Sequence, residues 1–106
     1  MRDIFATLTG FEWDAGNSEK NWQKHRVSQT ECEQVFFNAP LVVFVDAKHS
    51  DSENRFFLLG KTNENRLLTI VATVRGTKIR VISARDMSRN ERTRYRHEIK
   101  KEDPQI

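Results

Sequence analysis

The chain has one cysteine, Cys32, so no disulfide can form within it. No apolar run approaches the ~18 residues of a membrane-spanning helix, and Met1-Arg2-Asp3-Ile4-Phe5 lacks the apolar stretch of a secretory signal. A cytoplasmic location is therefore the expectation, with no membrane partner. The 4 glycines are scattered, which excludes a glycine-rich phosphate loop. His25, His49 and His97 stand far apart, and neither H-x-x-x-H nor C-x-x-C spacing occurs. Neither a metal site nor a cofactor is expected.

What is present is a compact set of large apolar side chains, including 7 Phe and 2 Trp, gathered in clusters such as Val35-Phe36-Phe37 and Leu67-Leu68-Thr69-Ile70-Val71. Such clusters belong to a folded chain, and 106 residues make one domain. We assign it to residues 11–101, with an extension over 1–10 and a tail over 102–106. Charge is uneven. Residues 1–74 carry 8 Lys/Arg against 10 Asp/Glu, whereas residues 75–101 carry 10 basic against 3 acidic residues. A positive end of this kind attracts a polyanion, although a solvated helix face has the same composition.

Phe11-Glu12-Trp13 alternates as a short strand does, and Asp14 is placed to cap a helix running to about His25. Ser28 and Glu31 form a capping-box pattern ahead of Cys32, Val35 and Phe36, so a second helix follows, ended by Pro40. Strands are expected over Leu41–Val45, Arg55–Thr62, Arg66–Val74 and Lys78–Arg85, with turns at Asn63-Glu64-Asn65 and Arg75-Gly76. Ser88 and Glu91 open a last helix to about Lys101, with Glu91, Tyr95 and Ile99 on one side. The class is α+β: an antiparallel sheet of four to five strands, with helices covering one face.

Several residues carry possible chemistry. Cys32 lies on an apolar helical face and reads as a small buried hydrophobe. Lys24-His25 closes the first helix. The pair can move protons and stabilise an anion, or it can simply complement the helix C-terminus. On the last strand, alternation puts Arg80 with Ile82 and Ala84, and Arg85 with Val81 and Ser83. Arg55 and Arg66 begin the preceding strands and are expected to project towards the same region. Guanidinium groups suit phosphodiester oxygens and the charge of a phosphorane, and pairing with Glu12, Asp14 or Glu53 is the structural alternative. His49 and His97 read as solvated.

Together these residues resemble the BrnT toxin family. The match runs through Phe11-Glu12-Trp13-Asp14, Asn21, Lys24-His25, Val27-Ser28, Glu31 and Val35-Phe36. It continues through Asp46, His49-Ser50, Glu53, Arg55-Phe56, Leu59-Gly60, Arg66-Leu67-Leu68, Arg80-Val81-Ile82-Ser83-Ala84-Arg85, Glu91-Arg92 and Tyr95. Departures are Arg26 where Gly is common, Ala15 where Pro often follows the Asp, and Asn38-Ala39-Pro40 in place of a tighter Asp-Pro. If the backbone at Arg26 needs a positive φ, the cost is on the order of 1 kcal/mol.

The resemblance implies a RelE-like fold and an endoribonuclease that halts translation by cutting RNA. It also implies a BrnA-like antitoxin with a ribbon-helix-helix segment, operator DNA being bound only through that complex. Metal-independent cleavage would use His25 or Lys24 for proton transfer and Arg80 and Arg85 as phosphate clamps. Arg55 and Tyr95 would support them, and Glu12 would be an orienting carboxylate or alternative base. Arg89, Arg92 and Arg96 are candidate RNA contacts. The products would be a 2′,3′-cyclic phosphate and a 5′-hydroxyl. The alternative is a non-catalytic basic module that binds nucleic acid or protein, or a basic last helix that chiefly meets the antitoxin.

Overall fold

The computed structural model describes residues 8–46 and 54–102, and among them five strands and three helices. The order is β1 (Gly10–Phe11), α1 (Ala15–His25), α2 (Gln29–Phe37), β2 (Val42–Val45), β3 (Arg55–Lys61), β4 (Leu67–Arg75), β5 (Lys78–Asp86) and α3 (Arg89–Glu102). The sheet order is β1-β5-β4-β3-β2. β2 to β5 pair antiparallel, but β1 runs parallel to β5, so the sheet is mixed rather than wholly antiparallel. The first strand is also shorter than expected and ends at Phe11. The β4–β5 hairpin turns at Gly76 and Thr77, with φ 61° at Gly76; Arg75 is still in the strand.

The helix starts follow the local chemistry. Asp14 accepts from the Asn17 amide while the Asn17 side chain accepts from the Asp14 amide. Ser28 with Glu31, and Ser88 with Glu91, make the same reciprocal pair. α1 ends at Arg26, a non-glycine residue in the left-handed region at φ 55°, ψ 40°. The condition attached to that position is met, and the strain is present.

Helices cover both sheet faces, not one. α1 and α2 pack on a core of Val27, Cys32, Val35, Leu58, Leu68, Ile70, Val81 and Ala84. Gly60 lets α2 sit this close, because a Cβ there would lie 2.7 Å from a Val35 methyl. α3 packs on the other face, where Tyr95 meets Val42, Leu59 and Met87. Among the described residues, no β-strand continues along the outer edge of β5 past Ile79. α1 covers it instead: Asn17 Nδ2 donates to the Val81 carbonyl at 3.0 Å, and Asn21 Oδ1 accepts from the Ala84 amide at 3.0 Å. Both asparagines are buried. Among the described residues no helix is long and apolar enough to cross a membrane.

Candidate active site

The placement of the arginines depends on one extra residue in β5. Ala72 pairs with Val81 and Val71 with Ser83, so Ile82 has no partner and forms a bulge. Ile79, Val81 and Ala84 therefore face the α1–α2 core, and Arg80, Ser83 and Arg85 share the opposite face. Strict alternation put the two arginines on different faces; the bulge corrects that reading. Arg55, Thr73 and Arg80 lie in one row across β3, β4 and β5. Leu59, Thr69 and Arg85 form a second row, four β4 residues away. At ~3.4 Å per residue the rows are about 13 Å apart, so Arg80 and Arg85 mark two positions on the face.

At the first position Glu12 is held between two guanidinium groups, accepting from Arg80 at 3.1 Å and from Arg75 at 3.4 Å. Arg80 also reaches Asp14 at 2.9 Å. The Arg80 hydrogen bond holds the Asp14 carboxyl below the usual carboxylate range, and Asp14 in turn raises Arg80. The Arg80 side chain is 18% exposed, whereas Glu12 at 38% and Arg75 at 49% reach solvent. This is a carboxylate with two cations beside it, on a surface that a ligand can approach.

At the second position Arg85 forks onto Glu91 at 2.7 and 2.9 Å, and Thr69 donates to the same carboxylate at 2.9 Å. Chiefly because of Arg85, Glu91 falls from an ordinary 4.5 to about 2. Glu91 also caps α3, so this pair ties helix to sheet.

Arg66 does not project towards this region. It lies on the α1–α2 face and bonds Asp86, Glu31 and the backbone carbonyls of His25 and Arg26. Its hydrogen bonds to Asp86 and Glu31 raise it, and Asp86 is held low mainly by Arg66. Burial pulls Glu31 upwards, but the Ser28 amide and Arg66 outweigh it and the carboxyl sits low. The network fixes the C-terminal end of α1, where Lys24 is exposed and His25 half-buried. An α1 of 11 residues is about 16 Å long, so Lys24 and His25 lie far from the Glu12–Arg80 pair at its other end.

Tyr95 is packed in the core between α3 and the sheet. It is 3% exposed, and its hydroxyl donates to the Pro40 carbonyl at 2.6 Å, which pins α3 to the sheet. On α3, Arg89 and Arg96 are exposed, while Arg92 donates to the Met87 carbonyl at 2.9 Å. His97 is exposed on the same helix, and His49 and Glu53 lie outside the described residues. Cys32 is buried, and burial pushes its thiol up to about 12, as suits an inert core residue. Among the described residues no three His, Cys, Asp or Glu side chains gather as a metal site would. Sequence reasoning treated Arg75 as a turn residue and missed its contact with Glu12. It missed Asp86 as well, and nothing short of the β4–β5 register would have found either.

The model of the ribonuclease toxin BrnT, of type II toxin–antitoxin systems, matches residues 13–91. No curated protein matches the chain. Among solved structures, the Brucella abortus ribonuclease toxin BrnT has the same fold at a TM-score of 0.58 and 20% identity, over 77% of this chain and 100% of that one. Family match and fold agree, and the chain belongs to the BrnT family of ribonuclease toxins of type II toxin–antitoxin systems.

Proposed function

We propose that the chain is a metal-independent endoribonuclease whose cleaving centre lies at Glu12, Arg75 and Arg80. The carrying observation is the Glu12 carboxylate held between two guanidinium groups, a base and its phosphate clamp within one hydrogen bond of each other. Glu12 accepts the proton of a 2′-hydroxyl, whose oxygen attacks the adjacent phosphorus. Arg80 and Arg75 take the non-bridging oxygens as charge builds on the phosphorane. The P–O5′ bond breaks, a guanidinium neutralises the leaving oxygen, and solvent protonates it. The ends are a 2′,3′-cyclic phosphate and a 5′-hydroxyl. The phosphate must displace Glu12 from at least one arginine, which frees the carboxylate to act as a base only when RNA is seated.

Arg55, on the same row as Arg80, extends the cationic lining, and Arg85 with Arg89, Arg92 and Arg96 binds flanking phosphates. Lys24 and His25 contact RNA at the far end of α1 and are not partners of Glu12 in one proton relay. A second reading makes His25 the base, favoured by the Asp86 carboxylate beside it. The cellular outcome is inhibition of translation. The neutralising partner is a BrnA-like antitoxin with a ribbon-helix-helix segment, and operator DNA is bound through that complex alone.

Total RNA incubated with the protein in excess EDTA tests this. Cutting by wild type and by His25→Ala, but not by Glu12→Gln, is the expected result. Cutting lost only with His25→Ala would move the chemistry to the second reading. No cutting by any form, on free RNA or on translating ribosomes, would leave a basic binding module.

A further inference from the structure

Trp22 is 48% exposed, on a helix whose buried residues are Asn17 and Asn21. Arg26, one helical turn on, places its guanidinium over the indole at 5.4 Å from the ring centre. Arg26 stands in the left-handed cap of α1, a conformation that costs a non-glycine residue on the order of 1 kcal/mol. Two hydrogen bonds from Arg66, to the His25 and Arg26 carbonyls at 3.1 and 2.9 Å, hold the cap in place. An exposed aromatic surface with a cation over it thus stands at a helix end whose last carbonyls Arg66 holds. Between Ser18 and Arg26 the chain carries Lys20, Lys24 and Arg26 against Glu19 alone.

We infer that Trp22 and Arg26 form a stacking subsite for one unpaired nucleobase of the RNA substrate, with Lys24 on the neighbouring phosphate. Every base has a π-face, so such a platform takes a base without reading its edge, and the cations supply the attraction for the backbone. α1 is about 16 Å long, so the subsite stands a few nucleotides from the Glu12–Arg80 centre. It would select for single-stranded RNA around the cut. The inference rests on the ribonuclease reading, and it separates from that reading because binding and cleavage are measured apart.

The test uses the whole chain and a labelled single-stranded RNA that is 2′-O-methylated throughout, so that it binds without being cut. Trp22→Ala should weaken binding by about tenfold or more, and Trp22→Phe should keep most of the affinity. Thermal melting reports whether Trp22→Ala has disturbed the fold. Abasic residues placed one at a time along the oligonucleotide then locate the stacked base. One position should cost wild type about as much as the loss of Trp22, and cost Trp22→Ala nothing further. A folded Trp22→Ala that binds within twofold of wild type overturns the inference. So does a variant that keeps RNA affinity but loses the antitoxin, which would assign the surface to a protein partner. Failure of wild type to cut RNA, with the abasic coupling intact, would sink the reading of the cleaving centre and leave the subsite standing.

Discussion

The Arg66 guanidinium donates through Nη1 to the backbone carbonyl of Arg26 at 2.9 Å, joining residues forty apart in sequence. Through the same side chain the start of β4 holds the end of α1, the first turn of α2 through Glu31 and the end of β5 through Asp86. Arg66→Ala should cost about 2 kcal/mol in urea unfolding, since two backbone carbonyls and two carboxylates lose a donor at a partly exposed site. Arg66→Lys should recover less than half of that, because a single ammonium cannot replace the fork. A loss under about 0.5 kcal/mol for Arg66→Ala would mean that the network is ornamental to folding.

Arg26→Gly should raise stability slightly. Glycine takes a φ of 55° at no steric cost, a gain of about 1 kcal/mol, against about 0.5 kcal/mol for losing an exposed cation–π contact. The melting temperature should rise by about 2–4 °C. The same variant should bind single-stranded RNA more weakly, and stability and affinity moving together would argue against a role for the guanidinium.

Glu91 makes stability depend on pH at the acid end. Its native value of about 2 lies below the ordinary 4.5, so its contribution is complete above about pH 4.5 and is lost as pH falls through about 2. Allowing for solvent screening, about 1–2 kcal/mol should disappear over that window. Denaturant unfolding of Glu91→Gln should show lower stability at neutral pH and a flatter profile between pH 4.5 and 2. A profile as steep as wild type would assign the acid sensitivity to other carboxylates.

Glu12→Gln should lower the cleavage rate by about 10²–10⁴-fold with little change in RNA affinity, as expected for removal of a general base. Arg80→Ala should reduce both, since its phosphate contact begins before the transition state. Equal losses of affinity and rate in Glu12→Gln would make Glu12 a structural partner of Arg80 and nothing more.

Arg89 and Arg96 are exposed and point from α3 without the backbone bond that holds Arg92. If each meets one phosphate, the double alanine variant should lower the slope of log affinity against log salt by about 1.4 on single-stranded RNA. An unchanged slope, with antitoxin binding lost, would give this helix to the partner protein.

What was legible in the sequence was local. Asp14, Ser28 and Ser88 announce their helices because a cap needs one side chain and the amide three residues on, and all three caps are present. The strands from β2 onward were found to within a residue or two from their apolar runs. Non-local choices were not. Alternation has no means of showing that Ile82 is passed over in the pairing with β4, so the faces of Arg80 and Arg85 were misassigned. The grouping of Tyr95 with Ile99 on one side of α3 was visible in the spacing, but the bond from its hydroxyl to the Pro40 carbonyl, fifty-five residues away, was not. The pairing of Arg80 with Glu12 and Asp14, in contrast, was among the alternatives, since opposite charges near β1 and β5 were visible from the start.

The two buried asparagines of α1 bear on what the free chain does at high concentration. Asn17 and Asn21 occupy backbone groups that β5 would otherwise offer to a passing strand. A bare edge of this kind templates sheet growth between molecules. Leucine in place of Asn21, which unlike Asn17 takes no part in the α1 cap, would preserve helical propensity while uncovering that edge. Such a variant should self-associate as its concentration rises, with Glu12, Arg75 and Arg80 still in place.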